Sequence, residues 1–412
     1  MKEKASQLKG AIWNTLGSTM NGANSFIMLA LVSRVGTVEQ AGYFSIAFTT
    51  AQILYIVGLF GVNTYQMTDY GEKYRFLDYA KVKAFSCFLM LVGCVLAALT
   101  MHFTGEKAVY LFSLTILMLL NTIGELYQSL FFQKKRLDLS GSALFWRTFW
   151  SLIAFCVTLI VWRNVFFAVV VQIVVNLITT LYYALSVASA FIPRPTPPMQ
   201  YSSVSLALEC LPLFLSMFMV NLIMNASKYG IEFLMDDSAQ GYYSMIFMPA
   251  QVINLCSQFI FKPLLSKYAE LFADHKDRDA VLLLLRQVAF VMGFTFICCA
   301  GTALLGPQVL GLLYGKDLSA FRLPLVLVVF GGGIFACCQL FYYIFVILRR
   351  QKWLFAIYSA ALVVSVMVTI VLVSIQGITG AVLSFIVTHL FILILTVCAL
   401  LLAVFLRGKH NV

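Results

Sequence analysis

A chain of 412 residues that is 61% hydrophobic and only 11% charged, with mean hydropathy +0.92, is not an ordinary soluble protein, because soluble domains are near a quarter charged. At about 34 residues for one bilayer span and its connection, the length accommodates roughly twelve transmembrane helices and leaves no room for a sizeable soluble domain. The formal charge of +11 reads as basic residues retained on the cytoplasmic face rather than as a nucleic-acid footprint. Nucleic acid is excluded as a partner, and most enzyme classes are excluded with it.

The first ten residues are basic, but the run after them (Asn14, Thr15, Ser18, Asn21, Asn24) has no signal-peptide pattern and no small-residue cleavage site. A retained first helix in a bacterial inner (plasma) membrane is the expectation. Spans are predicted over 12–32, 43–62, 84–101, 109–132, 143–161 and 165–187. Then comes the one proline cluster of the chain, Pro193, Pro195, Pro197 and Pro198, which cannot continue a helix and favours a stiff extended connection. Six more spans follow, over 206–229, 240–261, 284–305, 323–347, 354–375 and 380–406. The predicted fold is an all-α polytopic membrane protein. It has an N-terminal six-helix bundle (1–190), a cytoplasmic Pro-rich linker (191–204) and a C-terminal six-helix bundle (205–412).

Charge asymmetry orients this layout. With a cytoplasmic amino terminus, 22 of the 28 Lys and Arg residues fall on inside segments, Lys81, Lys83 and Arg147 among them. Arg34, Lys107, Arg163, Lys228, Lys316 and Arg322 remain outside or in the outer half. The rule that basic residues stay inside then places both termini in the cytoplasm. The halves also repeat: Gln40-Ala41-Gly42-Tyr43-Phe44-Ser45 is echoed by Ala239-Gln240-Gly241-Tyr242-Tyr243-Ser244. In the same register, Ala51-Gln52-Ile53 is echoed by Ala250-Gln251-Val252. An even number of helices per half makes the repeats parallel and pseudo-symmetric, with a central cavity between the bundles as the expected substrate route.

Polar residues inside spans mark the candidate site. Asn14, Gly17, Asn21 and Ser25 share one face of the first helix, flanked by Ser18 and Asn24. Such a stripe either hydrogen-bonds a neighbouring helix or lines a wet cavity, because an unpartnered amide in hydrocarbon costs several kcal/mol. In the seventh span Asn221, Asn225 and Lys228 share a face beyond Pro212. Lys228 reads either as a snorkelling anchor or, given its asparagine neighbours, as a cavity cation. Arg34 reads as an end anchor or a second cavity cation. Glu125, deep in the fourth span, either pairs structurally, with Arg147 as the candidate partner, or carries protons.

No catalytic constellation is present. The run 311–317 is one residue short of a phosphate loop and has Asp317 where Ser or Thr must hold magnesium. Asn225-Ala226-Ser227 is a glycosylation sequon inside a helix. His102, His275, His389 and His410 are dispersed, and the ten cysteines include no C-x-x-C pair, so they are assigned to packing. Neither a metal nor a cofactor is expected.

Several motifs, in order along the chain, carry a family resemblance. They are Arg34-Val35-Gly36 with Ala41-Gly42-Tyr43-Phe44-Ser45, and Glu125-Leu126-Tyr127 with Gln133 and Arg136-Leu137-Asp138. Asn225-Ala226-Ser227-Lys228-Tyr229, Phe247-Met248-Pro249-Ala250 and Lys262-Pro263-Leu264-Leu265 follow. Together they resemble polysaccharide-biosynthesis membrane proteins, the repeat-unit flippases. That resemblance implies the multidrug/oligosaccharidyl-lipid/polysaccharide exporter fold. It also implies movement of polyprenyl-pyrophosphate-linked oligosaccharide, such as an O-antigen, lipopolysaccharide or capsule repeat unit, to the outer leaflet by alternating access. The partners implied are the lipid-linked oligosaccharide, membrane lipids and surface-glycan polymerase machinery. Lys228 and Arg34 would suit the pyrophosphate. The amides of Asn14, Asn21, Asn24, Asn221, Asn225, Gln52 and Gln251 would suit sugar hydroxyls. Two alternatives stay open. A cation-coupled multidrug-type antiporter shares the fold but typically has an acid in its first helix, and a membrane-embedded glycan polymerase would carry a long outer loop.

Overall fold

The computed structural model describes residues 2–69, 71–192, 202–261, 264–274, 276–348 and 350–410. The proline cluster lies outside the described residues. Every element among those described is helical. The first half comprises α1 (Lys2–Val35), α2 (Val38–Leu59), a short α3 (Val62–Thr68), α4 (Phe76–Thr100), α5 (Gly105–Gln133), α6 (Leu137–Trp162) and α7 (Val165–Tyr182). A π-helical turn, Tyr183–Val187, prolongs α7. The second half comprises α8 (Ser203–Leu234), α9 (Asp237–Phe261), a short α10 (Leu265–Ala273), α11 (Asp277–Tyr314), α12 (Arg322–Ile347) and α13 (Gln351–His410).

Nine helical stretches among the described residues are long and apolar enough to cross a membrane. The last is two spans in one, because Gly377 adopts φ 58 and breaks α13 in its middle. The 34-residue α1 and the 25-residue α9 have the length and fall short only in apolarity. Counting both, and counting α13 twice, gives the twelve spans predicted, six in each half. Exposed Phe88, Leu96 and Leu99 give α4 an apolar face, and exposed Ile297, Leu304 and Leu312 give one to α11, as suits helices that keep every backbone hydrogen bond within themselves.

The duplication is visible in helix boundaries. Val35 and Leu234, which end α1 and α8, are 199 residues apart, and so are Val38 and Asp237, which begin α2 and α9. The caps correspond as well. The Thr37 hydroxyl accepts from the Gln40 amide, and the Asp236 carboxylate accepts from the Ala239 amide, each satisfying an otherwise orphaned N–H of the first turn. The shared Gly-Tyr-aromatic-Ser motif therefore sits one turn inside a capped helix in both copies.

Packing divides the chain into two compact units, 1–218 and 219–412, with the division inside α8. In the first unit α5 is central and touches α2, α3, α4, α6 and α7, while α1 runs along α6. In the second, α12 holds the equivalent place against α9, α10, α11 and α13. Small residues permit the close approaches. A Cβ on Gly141 of α6 would lie 2.4 Å from the Asn14 amide nitrogen, and one on Gly17 would lie 2.8 Å from the Gly141 carbonyl. Part of the α1 polar stripe is thus a helix–helix seam.

Candidate functional site

In the first unit, side chains of three other helices converge on Glu125. Its carboxylate, on α5, accepts from the Tyr55 hydroxyl of α2 at 3.2 Å and from the Asn63 amide of α3 at 3.0 Å. Arg147 of α6 lies 3.9 Å away through Nη2, and the expected pairing is present. The guanidinium reaches this position because residue 124 has no side chain: a Cβ there would lie 1.5 Å from Arg147 Nη1. Nη1 donates to the Asn121 carbonyl at 3.4 Å, and the Asn121 side chain accepts from Asn176 of α7 at 3.0 Å.

Lys83 completes the cluster, and its place differs from the expectation. Sequence reading set it on an inside connection, yet α4 begins at Phe76 and Lys83 is only 2% exposed. Its ammonium donates to Asn63 Oδ1 at 2.7 Å and to the carbonyls of Gly58 and Leu59 at 3.3 and 3.4 Å. Those carbonyls are available because α2 ends there. Asn63 therefore bridges a cation and an anion, with its amide nitrogen on Glu125 and its oxygen on Lys83. Arg147 also leaves the set of inside-segment charges, since it is 4% exposed within α6. The sequence signals for Lys83 and Asn63 were weak: each lies at the edge of an apolar run, where a loop assignment costs nothing.

A second polar cluster lies at the α3–α4 connection, where it meets the beginnings of α4 and α8. Lys73 donates to Glu209 of α8 at 2.7 Å, Tyr74 donates to the same carboxylate at 3.0 Å, and Tyr65 donates to it as well. The Glu209 carboxylate raises the Lys73 ammonium above its ordinary range. Burial, reinforced by Glu209, pushes the Tyr65 phenol up to about 12. Asp78 pairs with Arg75 at 2.9 Å and accepts from Ser203 at 3.2 Å. The beginning of α8 is thereby fastened to α3 and α4 within the first unit.

In the second unit, Lys228 is 7% exposed and lies 5.4 Å from the centre of the Phe247 ring, a cation–π arrangement. Asn225, also buried, donates to the Asn221 carbonyl one turn earlier at 3.0 Å. Ser227 and Tyr243 share a 2.7 Å hydrogen bond that joins α8 to α9. Lys228 thus faces the interior of its bundle, and Asn221, Asn225 and Lys228 stand together on one helix as their spacing predicts.

The remaining candidates scatter. Asn14, Asn21, Gln52 and Arg34 are exposed, and Gln251 and Asn24 are half-buried. The Asn24 Oδ1 atom is shielded and has no hydrogen-bond partner. Among the described residues no hydrogen bond ties Asn14, Asn21, Asn24, Arg34 or Gln52 to the Glu125 cluster.

The sequence profile of a family described as "Polysaccharide biosynthesis protein" matches residues 7–269. A comparison with curated proteins finds no match. Among solved structures, an inward-facing multidrug resistance MATE family transporter of the MOP superfamily is similar at TM-score 0.70 and 14% identity, over 95% of this chain and 96% of that one. The lipid II flippase MurJ, in an inward closed conformation, is similar at TM-score 0.69 and 13% identity, over 99% and 90%. The Vibrio cholerae MATE transporter VcmN, in a bent form, gives TM-score 0.57 and 14% identity over 96% and 97%. At these identities the likeness is one of fold alone.

Proposed function

The chain belongs to the polysaccharide biosynthesis protein family, and from that membership we propose that it is a flippase for polyprenyl-pyrophosphate-linked oligosaccharide. The repeat unit of an O-antigen, a capsule or a related surface glycan is carried from the cytoplasmic to the outer leaflet by alternating access. The observation that carries this reading is Lys228, a cation buried on a helix face with Asn221 and Asn225. An ammonium suits a pyrophosphate, and amides suit the hydroxyls of a sugar. The protein acts in the bacterial inner membrane with both termini cytoplasmic, and hands its cargo to surface-glycan polymerase machinery. Its two halves are joined through 191–204. Multidrug transport is the competing use of the same fold, but α1 carries no acidic residue from Lys4 to Val35.

The test is a deletion strain. Surface glycan should disappear while lipid-linked repeat units accumulate, and the intact chain should restore export. Lys228→Ala, at normal protein level, should fail to restore it, and Lys228→Arg should restore it in part because the charge remains. Undiminished surface glycan in the deletion strain rejects the flippase reading. Full export by Lys228→Ala removes Lys228 from the site without touching the rest.

A further inference from the structure

We infer that the first unit holds a small monovalent anion of halide size, chloride in the cell, in a cleft between α5, α6 and α7. The cleft is lined by Gly124 and Gln128 of α5, Arg147 of α6, Thr180 of α7 and Tyr183 of the π-helical turn. It leaves about 10 Å³ for the centre of a water-sized occupant, which is room for one.

Two of the groups lining it have unused donors. Arg147 and Gln128 are each 4% exposed. The Arg147 Nε and Gln128 Nε2 atoms are both shielded from solvent without a hydrogen-bond partner. The two terminal nitrogens of the same guanidinium face Asn121 and Glu125, so Nε is the edge left over. Buried N–H groups are almost always satisfied, by protein, by an ordered water or by an ion.

Charge selects the occupant. Arg147 lines the cleft, Lys83 is buried on the neighbouring α4 against the end of α2 and Asn63 of α3, and Glu125 is the single carboxylate their cluster shares. A guanidinium stays charged, and Lys83 sits in a cage of three oxygen acceptors that suits an ammonium. Two cations against one anion leave an excess positive charge inside a membrane bundle, where charges are held only with partners. A water in the cleft would accept from Nε and Nε2 and leave the excess in place, whereas a halide accepts from both and cancels it. The π-helical turn adds an independent sign. It begins at Tyr183, on the cleft itself, and such turns recur where a helix has been opened for a function.

The full-length protein in detergent tests this directly. Thermal unfolding is followed by tryptophan fluorescence in sodium chloride and in sodium gluconate at equal ionic strength. Chloride should raise the midpoint in a saturable way, bromide should substitute for it, and gluconate, too large for the cleft, should not. Gln128→Leu, which removes the donor and keeps the volume, should fold in normal yield and lose the chloride response. Crystals grown in bromide should show anomalous scattering beside Arg147 Nε and Gln128 Nε2. Equal midpoints in chloride and gluconate, with no bromide peak, leave a water as the occupant and overturn the inference. A chloride response that survives undiminished in Gln128→Leu overturns it too, because the ion then binds elsewhere. None of these readings depends on which cargo the protein moves.

Discussion

Glu125 is bound by two neutral donors, Tyr55 and Asn63, and faced by a guanidinium 3.9 Å away. That mixture gives its proton a structural consequence: the carboxylate attracts Arg147, and a neutral carboxyl group does not. Alternating access needs something that differs in affinity between two states, and a proton at this position would reset bonds to α2, α3 and α6 together. Glu125→Gln separates the two roles. The amide oxygen can still accept from Asn63 while its NH2 donates to the Tyr55 hydroxyl, which turns to accept, but the group no longer titrates. If Glu125 couples, folded yield stays normal while export loses its dependence on the proton gradient. If Glu125 is only a strut for Arg147, yield falls, since a buried guanidinium is left without its carboxylate. A compensating change at Arg147 then restores part of it. Export that is normal and still gradient-dependent in the Gln variant excludes the coupling role.

Among elements, the corner between α2 and α3 positions both Asn63 and the carbonyls that hold Lys83. Phe60 and Gly61 both take the left-handed conformation there, at φ 49 and φ 71. The chain can then turn sharply out of one helix and into the next. Gly61 has a second constraint, for a Cβ would lie 2.9 Å from the Cys210 carbonyl and 3.0 Å from Leu213 Cβ on α8. The Phe60 ring stacks on Phe214 of the same helix, with centroids 4.8 Å apart. Gly61→Ala should therefore cost about 1–3 kcal/mol from backbone strain alone, with the α8 contact adding to it. The expected readout is a lower thermal midpoint and a lower yield of monodisperse protein in detergent. An unchanged midpoint would mean that α8 is not seated on this corner.

For the whole molecule, orientation rests on charge placement. Removing the buried Lys83 and Arg147 from the 22 inside-segment cations, and the buried Lys228 from the 6 outside, leaves 20 against 5, so the asymmetry survives the correction. Both termini should face the cytoplasm. Green fluorescent protein fused at either end should be fluorescent, and alkaline phosphatase fused there should be inactive. Phosphatase activity from either terminus would reverse the layout.

The primary sequence by itself determined the twelve spans, their grouping in sixes and the duplication. Each of these is written in local pattern: apolar runs of bilayer length and a repeated motif at fixed spacing. The shared face of Asn221, Asn225 and Lys228 was legible for the same reason, because helical periodicity is a local property. Tertiary structure alone decided which polar residues meet. Asn63, Lys83, Glu125, Arg147 and Asn176 come from five different helices, and no spacing along the chain encodes their convergence. Burial of Lys83 was equally invisible. A lysine at the margin of an apolar run has the same sequence signature whether it reaches water or turns inward, and only the acceptors released at the end of α2 turn it inward.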